Sequence, residues 1–332
     1  MKLERFKNFK VDKKNLFPFI TPTSKGTSWF DPPPENKITN RQIGRMLLQF
    51  HQVAEIINND RPKDLKFLDV GTGNCILPEL ISRFFYCKKS IGIDPFEDGE
   101  HITSWPSGTR GKILKKALKY VNYPFLNFDN YKHLIKYEGF SKQPSQIKIK
   151  KGYNNWKFKK KYIHELGKNE KFNFIFAKCI DHIGNWENLF REISLRSEKN
   201  TTLLIKHNSF FSYNGAHRYA STFIPWGHVL LSEKEYQSYS KKYHSKRSGE
   251  MIDFYFNGLS YPRNTIDQLF SIINKLGWKI THIEQSNKKD YKKQLKLAGG
   301  GKKLFLNAKK KFPSITLSEL ISDRIIIIAK KL

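Results

Sequence analysis

The spacing of hydrophobic positions changes after Lys63. Between Thr39 and Asn58 apolar side chains recur every three or four residues, which predicts an amphipathic helix with Thr39 as its N-cap. Beyond Lys63, short apolar runs alternate with helical stretches. This alternation is typical of βα units, in which helices cover both faces of a mostly parallel sheet. The pattern therefore predicts an α/β fold.

The individual strands and helices follow from these runs. The predicted strands are Lys66–Val70, Ser90–Asp94, Gln146–Lys150, Phe172–Lys178, Thr201–His207, Lys279–Glu284 and Arg324–Ala329. The predicted helices run from the turn after the first strand to Phe85, from Trp186 to Leu195 and from Asn264 to Leu276.

Two long stretches do not fit a simple connection between strand and helix. Residues 96–145 and 208–262 are too long, so we expect them to be inserts. Together with the N-terminal helix, they are expected to cover the carboxyl edge of the sheet. The lysine-rich segment 288–311 is expected to be a solvated linker. The chain then divides into an N-terminal extension with a helix, 1–60, and one α/β domain, 61–332.

Composition excludes several classes of protein. Hydrophobic residues at 39% and aromatic residues at 14% are enough for a core, which excludes a wholly disordered basic protein. No apolar run approaches the roughly 20 residues that span a bilayer, and the N-terminus shows no secretory signal. Cys75, Cys87 and Cys179 lack the spacing of a disulfide framework or a zinc site, so we expect a reducing, cytoplasmic setting.

The formal net charge of +30 points to polyanions as partners. RNA or an anionic surface would be attracted to such a chain. Lysine far outnumbers arginine, however, and arginine is the preferred residue for bidentate recognition of phosphates and bases. The chain is also rich in Lys, Asn, Ile, Phe and Tyr, as an AT-rich genome encodes. We therefore interpret the charge mainly as compositional background.

The segment KFLDVGTGNC (66–75) carries the strongest chemical signal. Asp69 lies in the strand, and Gly71 and Gly73 let the backbone turn sharply and approach a ligand closely. The following helix offers free N–H groups. A dinucleotide and S-adenosylmethionine would both fit such a turn. The dinucleotide fingerprint needs a small residue at its sixth position, where this chain has Ile76.

The arrangement Asp-x-Gly-x-Gly after a strand resembles motif I of class I S-adenosylmethionine-dependent methyltransferases. The family usually has a third small residue where this chain has Cys75. In SIGIDPF (90–96), Asp94 ends the second predicted strand, where a carboxylate can accept hydrogen bonds from both ribose hydroxyls. The resemblance implies a Rossmann-like, seven-stranded sheet with a reversed last strand, and S-adenosyl-L-methionine as cofactor.

The resemblance also covers the later part of the chain. In AKCIDHIG (177–184), Asp181 and His182 occupy the place of an acid–histidine pair in small-molecule methyltransferases. Tyr153 and Asn154 follow the third predicted strand, where the family contacts adenine. The expected cofactor-binding residues are Asp69, Gly71, Gly73, Asp94, Tyr153, Asn154 and Lys178. The candidate general bases are His182, His217 and His228, because imidazole titrates near neutral pH.

Two other kinds of site have weaker support. A metal site built from Asp181, His207, His217 and His228 is conceivable, but their spacing matches no metal signature, so no metal ligand is predicted. The glycine-rich loop around Arg110 could contact a phosphate, but it lacks the Walker lysine pattern.

The function favoured by these observations is methyl transfer to a small-molecule, lipid or saccharide acceptor. One alternative, an RNA methyltransferase, is favoured by the charge. The chain has no Asn-Pro-Pro-Tyr-like motif after strand four and no Lys-Asp-Lys-Glu pattern of ribose methylation. A second alternative is a non-catalytic accessory protein of the same fold. The acceptor atom and the oligomeric state stay open.

Overall fold

The fold is known from a computed structural model, which describes residues 40–96, 108–135, 146–178, 180–244, 248–287 and 291–332. Residues 1–39, including the predicted N-cap Thr39, lie outside this description, as do Cys179 and parts of the 96–145 insert. The division at residue 60 stays a prediction.

The described residues form the following elements. The strands are β1 (Leu65–Val70), β2 (Cys87–Ile93), β3 (Phe125–Asn127), β4 (Gln146–Lys148), β5 (Trp156–Lys159), β6 (Phe172–Lys178), β7 (Ser197–His207), β8 (Trp278–Asn287) and β9 (Ser322–Lys331). The helices are α1 (Asn40–Asp60), α2 (Ile76–Phe84), α3 (Thr109–Leu118), α4 (Trp186–Leu195), α5 (His217–Ala220), α6 (Gly227–Leu230), α7 (Glu233–His244), α8 (Ser248–Asp253), α9 (Ile266–Lys275), α10 (Tyr291–Leu297), α11 (Gly301–Lys309) and α12 (Leu317–Ile321).

The main sheet has seven strands in the order β5-β2-β1-β6-β7-β9-β8. The first five pair in parallel, whereas β9 is antiparallel to both of its neighbours. The α/β class and the reversed last strand are therefore confirmed. Because parallel strands end at the same edge, the loops after β1, β2, β6 and β7 meet at one carboxyl edge.

The prediction for the third strand of this sheet was wrong. Gln146–Lys148 is β4, which pairs with β3 in a separate two-stranded sheet. The edge strand beside β2 is instead β5, Trp156–Lys159. Both segments alternate apolar residues with lysines, so the period of two identifies a strand without identifying its neighbour.

Hydrophobic clusters cover both faces of the sheet. On one face, α1 buries Ile43, Leu47 and Phe50 in the same cluster as residues of α2 and α3. On the other face, α4 and α9 pack on the strands through residues such as Phe190 and Leu269. The helix predicted for the N-terminal extension is thus confirmed, and its apolar stripe is the buried face. It packs on a face of the sheet instead of the carboxyl edge where it was expected. In the described ranges no helix is long and apolar enough to cross a bilayer.

A third cluster joins residues 208–262 to residues 291–321, and we call these two segments the cap. Phe211 of the first segment contacts Phe312 of the second, with ring centroids 4.7 Å apart. The Trp226 indole N–H donates to the carbonyl of Leu320 at 3.1 Å. The first segment, expected to be an insert, contains α5 to α8 and a π-helical turn at Phe254–Gly258.

The expectation that 288–311 is a solvated linker was wrong. This stretch contains α10 and α11, and Leu304 and Ala308 of α11 are fully buried in the cap cluster. Leu304 and Ala308 are four residues apart, so they lie on one face of the helix. The many lysines occupy the other positions and conceal this apolar stripe in the composition.

Glu319 of α12 is buried where the cap meets the sheet domain. Its carboxylate accepts hydrogen bonds from the Ser209 hydroxyl at 2.7 Å and from the backbone N–H of Ile266 at 3.1 Å. Burial raises the pKa of Glu319 to about 7, although both hydrogen bonds oppose that rise. The folded state therefore favours the protonated carboxyl.

Replacing Glu319 by glutamine should make the free energy of unfolding less dependent on pH. Burial raises the pKa of Glu319 from 4.5 to about 7, so the folded chain binds this proton more tightly than the unfolded chain does. The stability gained from this proton is complete below pH 4.5 and is lost as pH rises through 7. Between about pH 5 and pH 8, we expect the wild-type chain to lose on the order of 2 kcal/mol more than the Glu319→Gln variant in urea unfolding. Glu187→Gln, on the exposed start of α4, is the control. Equal pH dependence in all three proteins would contradict the assignment.

Candidate functional site

The loop between β1 and α2 lies at the carboxyl edge, as the motif predicts. The backbone N–H groups of Gly71 and Thr72 both donate to the carbonyl of Ile93, at 3.0 and 3.1 Å, and so fix the loop to the end of β2. Gly71 has φ of 72° and Gly73 has φ of 58°. These left-handed values explain why glycine is needed at both positions.

Asp69 lies beneath this loop and is almost completely buried. Its Oδ2 accepts a hydrogen bond from the Thr72 hydroxyl at 2.7 Å. Burial raises the pKa of Asp69 to about 6, while the charge of Lys178 at the end of β6 opposes the rise. Its Oδ1 is buried and has no hydrogen-bond partner among the described residues. Asp69 and Lys178 are thus brought together, as expected for neighbours at this edge.

Asp94 follows β2 and contacts the glycine loop directly. Its Oδ2 accepts the Gly73 N–H at 3.1 Å, and its Oδ1 accepts the Phe96 N–H at 3.1 Å. Each carboxylate oxygen can accept more than one hydrogen bond. The structure therefore brings Asp69, Gly71, Gly73 and Asp94 into one site, which fits a ligand that carries hydroxyl donors.

Gly92 in β2 is a residue of this site that the sequence analysis missed. A Cβ at this position would lie 2.5 Å from the Cys75 Sγ and 2.7 Å from the Thr72 Oγ1. The loop thus packs directly on the backbone of β2. A glycine inside an otherwise apolar strand is the sequence signal for such a close approach.

Arg110 at the start of α3 fastens the insert to the same loop. Its Nε donates to the Asn74 carbonyl at 2.7 Å, and one terminal nitrogen reaches the Glu79 carboxylate at 2.6 Å. The guanidinium also lies over the Trp156 ring, 4.2 Å from its centroid. These contacts make Arg110 a positioning residue for the loop instead of the phosphate contact weighed from the sequence.

Tyr153 and Asn154 do not reach the cofactor edge. They precede β5, which runs parallel to β2, so they lie at the amino edge of the sheet. There the Asn154 N–H donates to the Ser82 carbonyl at 3.1 Å, and the exposed Tyr153 ring lies 5.7 Å from that of Tyr86. Their predicted role depended on the misplaced third strand and is withdrawn.

Two exposed aromatic residues lie at the carboxyl edge instead. Phe96 follows Asp94, and Tyr162 follows β5; their ring centroids are 6.0 Å apart. Both are unusually exposed for aromatic residues, at 72% and 47%. This pair could not be predicted from the sequence, because Tyr162 could be placed only once β5 was known.

Asp181, His182 and His217 form a cluster beyond the end of β6. The Nε2 of His217 lies 3.1 Å from the Oδ2 of Asp181, within hydrogen-bond distance, and the Nε2 of His182 lies 3.7 Å from the same oxygen. The Nδ1 of His182 donates to the Gly258 carbonyl at 2.6 Å, which orients its ring. Phe254 of the cap contacts both imidazole rings.

The Asp181 carboxylate is ionised in this cluster. Burial alone would raise its pKa, but the charge of His182 and the hydrogen bond and charge of His217 hold the pKa of Asp181 well below its usual range. Its side chain is only 2% exposed, whereas those of His182 and His217 are 36% and 29% exposed. The buried carboxylate thus holds two accessible imidazoles.

His228 does not belong to this cluster. It is buried in the cap, where its Nε2–H is shared by the carbonyls of Phe210 and Ser212, at 3.0 and 3.1 Å. Burial lowers the pKa of His228 to about 4, so the ring is neutral. An acceptor cannot reach this side chain, and its proposed role as a base is withdrawn. His207, at the end of β7, is also fully buried.

Comparison with known proteins identifies the family of this chain. Residues 40–248, more than half of the chain, match a family model described as a methyltransferase domain. The chain belongs to this methyltransferase family. The methyltransferase is an enzyme whose methyl donor is S-adenosylmethionine, as the resemblance of its glycine loop implied.

Solved structures of methyltransferases are also similar to this methyltransferase. They include magnesium protoporphyrin IX methyltransferase from Synechocystis PCC 6803 with bound SAH (12% identity, TM-score 0.43, 88% of this chain and 85% of that chain). Others are methyltransferases from Methanosarcina mazei (13%, TM-score 0.39, 83% and 97%) and Mesorhizobium loti (10%, TM-score 0.39, 83% and 96%). The family assignment rests on the family model, because these TM-scores are low. No curated protein matches the chain.

The residues at the carboxyl edge fit this cofactor. Asp69 offers a buried oxygen without a partner in the described part of the chain, and Asp94 offers two oxygens beside the backbone of Gly73. Carboxylates at the ends of adjacent strands suit a ligand that carries hydroxyl donors and a positive charge.

Proposed function

We propose that this methyltransferase acts on a nucleophilic atom of a small-molecule, lipid or saccharide acceptor. The proposal is carried by the Asp181–His182–His217 cluster, which follows β6 at the same edge as the glycine loop. Phe254 and Gly258 of the cap contact the two histidines, so the acceptor position is covered on one side. A covered site with accessible imidazoles suits a compact acceptor that must lose a proton.

Several side chains would hold the cofactor. When bound, S-adenosylmethionine supplies a methyl group on a positively charged sulfur that is reactive toward nucleophiles. Asp94 would accept the ribose hydroxyls, and Gly71 and Gly73 would admit the ligand close to the backbone. We assign the adenine contact to Phe96 and Tyr162, because these exposed rings lie beside Asp94.

Among the side chains of this cluster, His217 would take the proton of the acceptor. Its Nε2–H donates to the Asp181 carboxylate, which leaves Nδ1 as the nitrogen with a lone pair. His182 donates its Nδ1–H to the Gly258 carbonyl, so its lone pair is on Nε2, 3.7 Å from the Asp181 Oδ2. His182 is therefore the second candidate base. The chain otherwise aligns the acceptor with the donor.

The distribution of lysines argues against an RNA acceptor. One large cleft is lined by Lys66, Lys88, Lys89, Lys157, Lys159 and Lys171. Most of these lie near the amino ends of the strands, away from Asp94, and Glu170 pairs with Lys89 and Lys159. The positive charge at the amino ends of these strands is therefore partly neutralised, and it lies at the sheet edge opposite to the proposed acceptor position.

The acceptor class can be tested with a labelled methyl donor. The enzyme is incubated with S-adenosylmethionine labelled in its methyl group and with cell extract, which is then separated into small-molecule, lipid, saccharide, protein and RNA fractions. We expect enzyme-dependent label in one of the first three fractions. Label in RNA that disappears after ribonuclease treatment and falls steeply with salt would favour the RNA alternative. No label, together with no binding of S-adenosylhomocysteine in calorimetry, would favour an accessory protein.

A reducing, cytoplasmic location belongs to the same proposal. Cys75 and Cys87 are buried and free, and the Cys75 Sγ of the cofactor loop packs against Gly92 of β2. Free buried thiols are typical of proteins kept in a reducing compartment.

A further inference from the structure

The Asp181–His182–His217 cluster has the spacing of a metal site. One ligand atom from each residue lies within 4.8 Å of the other two. The Asp181 Oδ2 is 3.1 Å from the His217 Nε2 and 3.7 Å from the His182 Nε2. Ligands that surround a metal at about 2.1 Å are separated by roughly 3.0 to 3.5 Å. The Asp181 oxygen is therefore at or near the ligand–ligand separation from both imidazole nitrogens without any change in the fold.

The surroundings of His182 match those of a metal-bound histidine. Such a histidine usually donates its other ring N–H to a carbonyl or carboxylate, which fixes the ring. The Nδ1 of His182 donates to the Gly258 carbonyl at 2.6 Å in this way. Asp181 also keeps its buried Oδ1 without a partner in the part of the chain that the structure describes, so the carboxylate is not satisfied by the histidines alone.

We propose that Asp181, His182 and His217 bind one divalent first-row transition metal ion. Two imidazoles and one carboxylate on one side of a metal form a facial triad that leaves coordination positions open. Two nitrogen ligands out of three favour manganese, iron, cobalt or zinc over magnesium and calcium, which prefer oxygen. The exposed edges of His182 and His217 place the open positions on the accessible side of the cluster.

The role of the metal rests on the proposed function, whereas its binding does not. With a metal bound, both histidines are ligands, and neither takes a proton. An acceptor hydroxyl at an open position would have a lowered pKa and release its proton to water. Its oxygen then forms the bond to the methyl carbon, and the carbon–sulfur bond breaks with its electron pair left on sulfur. In that case the acceptor would be a molecule with a hydroxyl that can ligate a metal.

The metal site can be tested by Co²⁺ titration of the full-length protein after treatment with a chelator. We expect one Co²⁺ per chain, with visible absorption bands of a nitrogen- and oxygen-ligated ion. His217→Gln and His182→Gln should each weaken binding by at least about 100-fold. This is more than is typically lost when a residue that only hydrogen-bonds to a metal ligand is removed. His133→Gln, an exposed histidine outside the cluster, should bind as the wild type does.

Two results would overturn the proposal. One is no Co²⁺ binding by wild-type protein at about 100-fold excess, and the other is equal binding by the His217→Gln, His182→Gln and His133→Gln variants. Thermal unfolding and S-adenosylhomocysteine calorimetry on each protein show whether it is folded. Protein that binds S-adenosylhomocysteine but no Co²⁺ refutes the metal site and leaves the proposed function intact. Protein that binds Co²⁺ but no S-adenosylhomocysteine refutes the proposed function and leaves the metal site intact.

Discussion

Replacing Asp94 by alanine should weaken binding of S-adenosylhomocysteine by at least about 100-fold in calorimetry. Hydrogen bonds to a charged group contribute about 1.5 to 3 kcal/mol each, and a factor of 100 corresponds to about 2.7 kcal/mol. The substitution would remove the hydrogen bonds between the carboxylate and the ribose. It would also remove the hydrogen bond from the Gly73 N–H, which holds the loop. The effect therefore combines a lost contact with a loosened loop.

Two control variants separate these contributions. Asp94→Asn keeps one acceptor oxygen and should bind with intermediate affinity. Asp129→Ala removes an exposed acid whose hydrogen bonds are local, so it should bind as the wild type does. If Asp94→Ala keeps the affinity of the wild type, the cofactor is held elsewhere and the assignment of this edge is wrong.

Replacing Gly92 by valine should damage both stability and cofactor binding. The new side chain would overlap the Cys75 Sγ, 2.5 Å from the position of its Cβ, and the Thr72 Oγ1, at 2.7 Å. Overpacking in a core costs up to about 3 kcal/mol, and we expect a loss near this limit in urea unfolding. Because the displaced atoms belong to the cofactor loop, affinity for S-adenosylhomocysteine should fall at least about tenfold, even in the fraction that folds.

The matched control is Gly249→Val in α8, where a Cβ would have no atom within 4 Å. This change should alter stability by less than about 0.5 kcal/mol and leave binding unchanged. Equal effects of the two substitutions would mean that the loop does not depend on its contact with β2.

The buried framework could be predicted because it is encoded locally. β1, β2, β6 and β7 are apolar runs in the middle of the sheet, and such runs differ clearly from their surroundings. The cofactor loop could be predicted for a similar reason, since a sharp turn with φ above zero favours glycine whatever the rest of the chain does. Asp69, Gly71, Gly73 and Asp94 therefore lie together as expected.

The edge strand could not be placed in the same way. β5 has no fully buried residue, because only one of its sides is paired, and its sequence WKFK alternates as QIKIK does. Which of the two segments joins the sheet depends on long-range packing. Because the third strand was misplaced, Tyr153 and Asn154 were predicted at the wrong edge of the sheet, and Tyr162 was not recognised.

The histidines show the same limit. His217 and His228 lie in similar glycine-containing stretches, 215–217 and 226–228, and nothing local distinguishes them. Packing of the cap places one beside Asp181 and buries the other beneath Phe210. Their chemistry therefore depends on contacts between distant parts of the chain.

The two-part construction of the cap sets the order in which the protein can fold. Residues 208–262 leave the ribosome first, with Phe211 and Trp226 still lacking Phe312 and Leu320 as partners. Contacts between residues that are far apart in the sequence slow folding, and the apolar surface that stays exposed until they form is prone to aggregation. The lysines at the exposed positions of α10 and α11 add charge to that intermediate as soon as those helices form. The positive charge of these lysines can therefore act during folding, by keeping incomplete chains apart in solution.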